Sequence, residues 1–246
     1  MSGPPESEPL LEVTVLHGRD ASAATAGEAD RLLLLSDPER GGLCPEPPTL
    51  SAVLRETDLP VRVMLRVGDS LAIDGGQFSR LVGTARTCLE LGAAGVSFGF
   101  LDHDLEIDRA SCSALAGELA GIGWTFHRGF DQALEARTAW RDVVDLPGLD
   151  AVASAGSTRG LASGFDELLQ RATGNPRVAE LLLVSGGLTG EQVPWLIRAG
   201  VRQFGLGDEV RPGGSWTKAY VDTAAVRAWR LLLDDAHQRA LGVPVD

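Results

Sequence analysis

The sequence contains no apolar run near the roughly 18 residues that a membrane-spanning helix needs; the longest obvious one, Leu32–Leu35, is only strand-sized. The first nine residues lack the basic start and apolar core of a secretory signal. Basic residues are outnumbered, because 22 Lys and Arg against 34 Asp and Glu give a net charge of −12. Such a surface repels phosphate backbones and anionic lipids. We therefore expect a cytoplasmic protein with neither nucleic acid nor a membrane as its partner.

Cysteine and lysine are both scarce. The three cysteines, Cys44, Cys88 and Cys112, are far apart, which argues against a disulfide framework and a CxxC zinc site and favours a reducing compartment. Lys218 is the only lysine, so any Schiff-base mechanism would depend on it. It follows the last expected strand, away from positions that reach a barrel lumen, which argues against that chemistry.

Short aliphatic runs alternate eight times with longer Ala/Leu/Arg-rich runs that have helical spacing. Strands are predicted over Leu10–Leu16, Arg31–Leu35, Val61–Arg66, Gly95–Leu101, Trp124–Arg128, Asp150–Ser154, Leu181–Val184 and Gln203–Leu206. Helices are predicted over Asp20–Ala29, Thr49–Glu56, Gln77–Leu91, Asp108–Ala120, Asp131–Val144, Ser163–Thr173, Glu191–Ala199 and Thr217–Leu241. This repeat predicts one α/β domain, a (β/α)8 TIM barrel over residues 10–246, after a disordered tail of residues 1–9. The alternative is an open doubly wound sheet, but no GxGxxG fingerprint follows the first strand.

Polar residues collect where the predicted strands end, which is where barrel enzymes place their reactive groups. His127 and Arg128 end the fifth strand, and Asp131 follows them. Glu12 lies in the first strand and Arg66 ends the third. Two interpretations stay open: a salt-bridge network at the barrel mouth, in which Asp131 or Glu12 pairs with Arg128, or direct contact of these residues with a substrate. His127 is in addition a candidate general base or metal ligand.

Glycines follow the last two strands. Gly186 and Gly187 separate the seventh strand from a helix, an arrangement whose backbone N–H groups can bind a phosphate or carboxylate. Phosphate-binding barrels use the loops after strands seven and eight. The alternative is that these glycines only make tight turns. Asp208 and Glu209, after the eighth strand, would repel a phosphate unless Arg211 offsets their charge.

Two places offer metal ligands. Cys44 follows the second strand, and a thiolate there would suit copper(I), although Cys88 and Cys112 lie in predicted helices outside the barrel. Asp102–Asp104 offers two carboxylates and an imidazole after the fourth strand, yet consecutive residues rarely surround one ion, so a solvated loop is the alternative.

The sequence resembles the CutC copper homeostasis family over roughly Leu10 to Arg211. The resemblance is carried by LEVTV, EADRLLLLS, GGLCPEPPTL, LPVRVMLR, GAAGVSFGFLDHDLEID, GWTFHRGFD and VSGGL…GVRQFGLG, in that order. It implies a TIM barrel in a cytoplasmic, often oligomeric protein linked to copper handling. It also implies mouth positions for Glu12, Arg66, His127, Arg128 and Asp131.

The chain departs from the family pattern at several of these strands. Thr14 and Leu35 stand where the family often has cysteine, Leu33 replaces a carboxylate, and Gly205 replaces a histidine. Soft metal ligands are therefore missing where the resemblance would place them. The pattern indicates a divergent branch of the family.

We predict a CutC-like copper homeostasis protein with a polar pocket at the barrel mouth and a homo-oligomeric state. In this reading copper is the ligand, with Cys44 and His127 the best available donors. The alternative is a metal-independent enzyme for a small phosphorylated or carboxylated metabolite. There Arg66 and Arg128 would hold the anion, Gly186 and Gly187 would cradle a phosphate, and His127, Glu12 and Asp131 would be catalytic. A third reading is a scaffold whose mouth residues are only structural.

Overall fold

Eight parallel strands pair in sequence order and the last pairs with the first, so the sheet closes into a barrel. The computed structural model describes residues 7–242, so most of the expected tail, residues 1–9, lies outside the described residues. The strands are β1 Leu10–Val15, β2 Arg31–Leu34, β3 Val61–Met64, β4 Gly95–Phe98, β5 Trp124–Phe126, β6 Leu149–Ser154, β7 Leu182–Ser185 and β8 Gln203–Leu206. The predicted (β/α)8 TIM barrel is confirmed.

Helices surround the barrel, and the described residues contain one more than the sequence predicts. They are α1 Gly18–Ala26, α2 Pro47–Leu54, α3 Gly75–Glu90, α4 Arg109–Gly117, α5 Ala136–Val143, α6 Leu161–Gly174, α7 Pro176–Leu181, α8 Val193–Arg198 and α9 Thr223–Ala240. The unpredicted helix α7 begins because the side chain of Asn175 caps it and Pro176 occupies its first position. Within the described residues, no helix is long and apolar enough to cross a bilayer.

Two predicted helix starts are wrong for identifiable reasons. The sequence predicts one helix over Asp131–Val144. The structure instead has a 3₁₀ turn over Arg128–Gln132, and helix α5 begins after Glu135. The side chain of Glu135 caps α5 by accepting from two backbone N–H groups, while Asp131 is bonded to the next strand. The last helix begins at Thr223 rather than Thr217, because Asp222 is its N-cap.

Successive side chains along each strand point alternately outward, to the core under the helices, and inward, to the barrel lumen. Trp124 and Phe98 point outward and stack with ring centroids 4.0 Å apart. The lower lumen is filled by two arginines on neighbouring strands. Arg31 donates from Nε to Glu12 Oε2 at 2.6 Å, and Arg62 forms an ion pair with Asp150. Paired charges therefore close the N-terminal end of the barrel.

The connection from β8 to α9, residues 207–222, folds over the opposite end. Arg211 anchors it with a fully buried ion pair, Nη2 to Asp20 Oδ2 at 2.7 Å, and donates to the carbonyl of Ala219 at 2.9 Å. Asp20 lies in α1 and also accepts from the N–H of Val221. The connection is thus held to the first β/α unit, which places Trp216 at the mouth.

Candidate functional site

A cavity of about 450 Å³ opens at the C-terminal ends of the strands. That volume is in the usual range for small-molecule sites. The space exists because the inward positions of three strands carry small residues, Ser97, Ala153 and Gly205, all of which line it. Barrels of this fold normally fill the lumen with layers of bulky side chains. The floor is formed by the ion pairs Arg31–Glu12 and Arg62–Asp150, at the N-terminal end of the barrel.

Glu12 lines the cavity, but its carboxylate is bonded to Arg31 at the floor. It is 3% exposed, and its pairing with Arg31 follows from the strand register, which sets the two residues side by side. The expected alternative partner, Arg128, pairs elsewhere.

His127 lines the cavity at the end of β5 and is 4% exposed. Its Nδ1 accepts the N–H of Gly129 at 3.0 Å, so the neutral ring carries its proton on Nε2. Burial, with the nearby charge of Arg66, lowers the pKa of His127 to about 4. At neutral pH the ring is therefore an uncharged hydrogen-bond donor, which suits polarisation of a ligand oxygen better than proton abstraction.

Arg128 brings a positive charge to the same cavity. Its side chain is 38% exposed, and its closest acid contacts are Nε and Nη2 at 3.4 Å from Asp131 Oδ2. The guanidinium lies directly against Gly186, whose φ of +91° and missing Cβ allow this approach. Contacts this long leave the donors of Arg128 available to an anion.

Asp131 lies behind Arg128 and does not line the cavity. Its side chain is 2% exposed; Oδ1 accepts from Ser154 Oγ at 2.5 Å and Oδ2 from the N–H of Ala155 at 2.9 Å. Burial raises the pKa of Asp131, against the lowering effect of these bonds. The residue fixes the loop after β5 to the end of β6 and so positions Arg128.

Arg66 is close to His127 but outside the main cavity. Nη1 donates to the carbonyl of Arg40 at 2.7 Å and Nη2 to that of Asp69 at 2.9 Å. Both Arg66 and His127 line a second void of only about 20 Å³. Arg66 thus joins the loops after β2 and β3 and acts on the mouth through its charge.

The glycine loop after β7 reaches the cavity, and its amides already have an acceptor. The N–H of Gly187 donates to Glu209 Oε1 at 2.7 Å and that of Leu188 to the same oxygen at 3.3 Å. Gly186 and Gly187 both have positive φ and both line the cavity. Arg211, expected to offset Asp208 and Glu209, is instead paired with Asp20.

The comparisons with known proteins agree with this architecture. The model of the CutC family matches residues 10–208, most of the chain. The chain belongs to the CutC family. The copper homeostasis protein CutC from Streptococcus agalactiae is 20% identical, with a TM-score of 0.70 over 80% of this chain and 98% of that one. Two further barrels share the fold. They are phosphoribosyl anthranilate isomerase from Thermococcus kodakaraensis (15% identity, TM-score 0.59, 92% and 98% covered) and thiamine phosphate pyrophosphorylase from Pyrococcus furiosus (17%, 0.53, 93% and 96%).

The donor set for copper, the metal suggested by CutC membership, is poor. Cys44 does not line the mouth cavity; it packs against the core, and burial raises the pKa of its thiol to about 12. Copper(I) binds the thiolate, which is scarce at such a pKa. Residues 7–242 contain no group of three His, Cys, Asp or Glu side chains able to hold an ion. In the loop Asp102–Asp104, Asp102 instead accepts from backbone N–H groups.

Ser97, Ser185 and Trp216 line the cavity but are not among the site residues predicted from the sequence. Ser97, 1% exposed on β4, and Ser185 on β7 each have a buried Oγ without a hydrogen-bond partner in the described part of the chain. Trp216 covers one side of the mouth. Alternate residues of β4 and β7 face the lumen, and this alternation could have indicated the two serines. Nothing local in the sequence indicates Trp216, which reaches the site because its loop folds over the mouth. Unpaired buried hydroxyls are costly unless a ligand or water satisfies them.

Proposed function

We propose that this CutC-family barrel binds a small organic acid at its mouth, and that this pocket is the working site of a copper homeostasis protein. One observation carries the proposal: a neutral imidazole N–H, from His127, and a partly exposed guanidinium, from Arg128, lie on consecutive residues beside the same cavity at the mouth. Arg128 would hold the carboxylate by charge-assisted bonds.

The remaining polar groups support a second functional group on the ligand. His127 would donate from Nε2 to a carbonyl or hydroxyl oxygen, and Ser97 and Ser185 offer hydroxyls that have no partner of their own. Glu12, held by Arg31, forms part of the floor below these groups. Asp131 keeps Arg128 in place and Arg66 helps to keep His127 neutral. The site is thereby equipped to bind and polarise a hydroxy or oxo acid.

A thermal-shift panel tests this proposal. Hydroxy and oxo carboxylates are compared with their uncharged amides. A ligand at about 100 times its Kd stabilises by about 2.7 kcal/mol, which corresponds to a Tm increase of roughly 5–10 °C for a chain of this size. Arg128→Met should abolish the increase, whereas Arg198→Met, which removes an exposed arginine from α8, should preserve it. A carboxylate that stabilises Arg128→Met as much as the wild type would refute the site.

Direct copper binding is a separate proposal, and it rests on the copper homeostasis name of the Streptococcus agalactiae relative. Competition with a copper(I) chelator tests it on the wild type and Cys44→Ser. Stoichiometric binding that is lost in Cys44→Ser would support a thiolate site at Cys44. Equal, weak uptake by both proteins would mean that the protein takes part in copper homeostasis without holding the ion at this residue.

We further propose a cytoplasmic, homo-oligomeric protein. All three cysteines are free, in keeping with a reducing compartment. Trp195 on α8 and Leu231 on α9 are 55% and 56% exposed on helices that pack together, which offers apolar surface for self-association. Sedimentation equilibrium of the wild type and Trp195→Ser measures the state. A monomeric wild type at micromolar concentration would contradict the proposal.

A further inference from the structure

Glu209 supplies a carboxylate to a ring of backbone amides formed by two loops. Oε2 accepts the N–H of Gly207 at 2.6 Å, and Oε1 accepts those of Gly187 at 2.7 Å and Leu188 at 3.3 Å. The residue comes from the loop after β8, while two of its three donors belong to the loop after β7. We call this ring, the amides of Gly187, Leu188 and Gly207, the amide nest.

The amide nest has the position and chemistry of an anion site. Successive N–H groups turned to one point bind phosphate and carboxylate alike, and the loops after strands seven and eight are where barrels of this fold bind phosphate. Gly187, whose N–H donates to Glu209, has a φ of +94°, a backbone conformation that glycine adopts without strain. The described chain thus fills, with its own side chain, a place where an anionic ligand group would fit.

The charges around the amide nest also disfavour binding of an anionic ligand beside Glu209. Asp208, adjacent to Glu209, is exposed and also lines the cavity. Arg211, two residues beyond Glu209, is fully buried in its pair with Asp20 and offers no counter-charge. Arg128 lies on the β7 side of the nest, with its guanidinium against Gly186. A doubly charged phosphate at the nest would therefore meet two carboxylates.

We infer that Glu209 is a specificity-determining residue: by occupying the amide nest, its carboxylate makes the mouth reject phosphorylated ligands while leaving Arg128 free for a carboxylate. This inference rests on the proposed function for the identity of the accepted ligand. The exclusion of phosphate does not depend on it. Removing the side chain would leave three unsatisfied N–H groups beside Arg128, which together make a phosphate site.

Inorganic phosphate is the probe, and binding is followed by ³¹P NMR line broadening and by thermal shift. Glu209→Ala should bind phosphate at least tenfold more tightly than the wild type. Asp208→Ala is the matched control, because it removes the same charge from the same rim and contacts none of the three amides; it should behave like the wild type. Equal phosphate affinity in Glu209→Ala and the wild type would overturn the inference, as would an equal gain in Asp208→Ala, which would assign the effect to net charge.

A second measurement keeps the inference testable if Glu209→Ala does not fold. Wild-type protein is titrated with inorganic phosphate and with a simple phosphate monoester. The inference expects no saturable binding of either compound below about 10 mM, a limit roughly a thousandfold higher than the Kd of a tight site. Saturable binding would overturn it. Failure of every organic acid to bind, with phosphate still gained by Glu209→Ala, would refute the proposed ligand and leave the role of Glu209 standing.

Discussion

The buried imidazole of His127 makes the stability of this protein depend on pH in a calculable way. In the folded chain its pKa is about 4, whereas an unfolded histidine has a pKa of about 6.5. Between these values the unfolded chain binds a proton that the folded chain does not. Stability therefore falls as the pH drops from about 6.5 to about 4, is unaffected by this residue above that window, and loses nothing further below it.

The size of the effect follows from the gap between the two pKa values. A gap of about 2.5 pH units, at about 1.4 kcal/mol each, corresponds to about 3 kcal/mol of unfolding free energy. That loss is a substantial part of the roughly 5–15 kcal/mol typical of folded domains. The cause is removal of the ring from water, since His127 is 4% exposed and its Nδ1 already accepts from the N–H of Gly129.

Urea unfolding of the wild type and His127→Asn, from pH 7 to pH 4, isolates this contribution. Asparagine is short and retains an acceptor for the Gly129 N–H, and the difference between the two proteins cancels the titration of the many carboxylates. Relative to the variant, the wild type should lose about 3 kcal/mol across the range. His103→Gln, which removes an exposed imidazole, is the control and should leave the profile unchanged. A difference that stays flat, or an NMR titration of His127 near pH 6.5, would refute the reasoning.

Three further perturbations test other parts of the structure. Asp20→Asn leaves the buried Arg211 without its counter-charge and should cost about 3–5 kcal/mol, or roughly 10 °C of Tm by calorimetry; a loss under 2 °C would contradict the fully buried pair. Cys44, with a thiol pKa of about 12, should react with a disulfide reagent at pH 8 on the order of 100-fold more slowly in the native than in the urea-unfolded protein, and comparable rates would contradict its burial. Gly205→Leu should narrow the mouth cavity, because its Cβ would lie 3.1 Å from that of Ser185 and the rest of the side chain would enter the cavity, and it should weaken stabilisation by carboxylates with an unchanged circular dichroism spectrum; stabilisation equal to that of the wild type would place the ligand elsewhere.

The fold was predictable because its signals are local. Most strands are short aliphatic runs and most helices are longer amphipathic ones, and eight repeats of that pair indicate a closed barrel. The helix starts that were wrong depend on side chains that the pattern does not weigh, such as the Asp222 cap of α9. The position of His127 and Arg128 at the mouth followed from the fifth strand ending there, which periodicity also indicates.

The pairings within the site depend on register and on loop packing, which the sequence pattern does not specify. Glu12 binds Arg31 because the register of β1 and β2 sets them side by side inside the barrel. Arg211 faces α1 rather than its neighbours in sequence, since its loop folds back over the first β/α unit. Glu209, expected to repel an anion, accepts hydrogen bonds from the backbone N–H groups of Gly187 and Leu188. In each case the charged side chain bonds to a residue at least 19 positions away in the sequence.

Four of the positions at which this chain departs from the pattern that the resemblance implies line the mouth cavity. Thr14, Leu33, Leu35 and Gly205 belong to or directly follow β8, β1 and β2, which are neighbours in the closed sheet, so the changes form one continuous wall. The wall has lost the polar and soft groups that the resemblance implies there, whereas the opposite wall keeps His127 and its neighbours. A ligand that fits both walls must be amphipathic, with its carboxylate toward β5 and an aliphatic part toward β2. Each methylene buried there adds about 0.8 kcal/mol, so affinity in a series of straight-chain hydroxy acids should rise about fourfold per carbon until the cavity is full. A series whose affinities do not change with chain length would show that the ligand does not touch the altered wall.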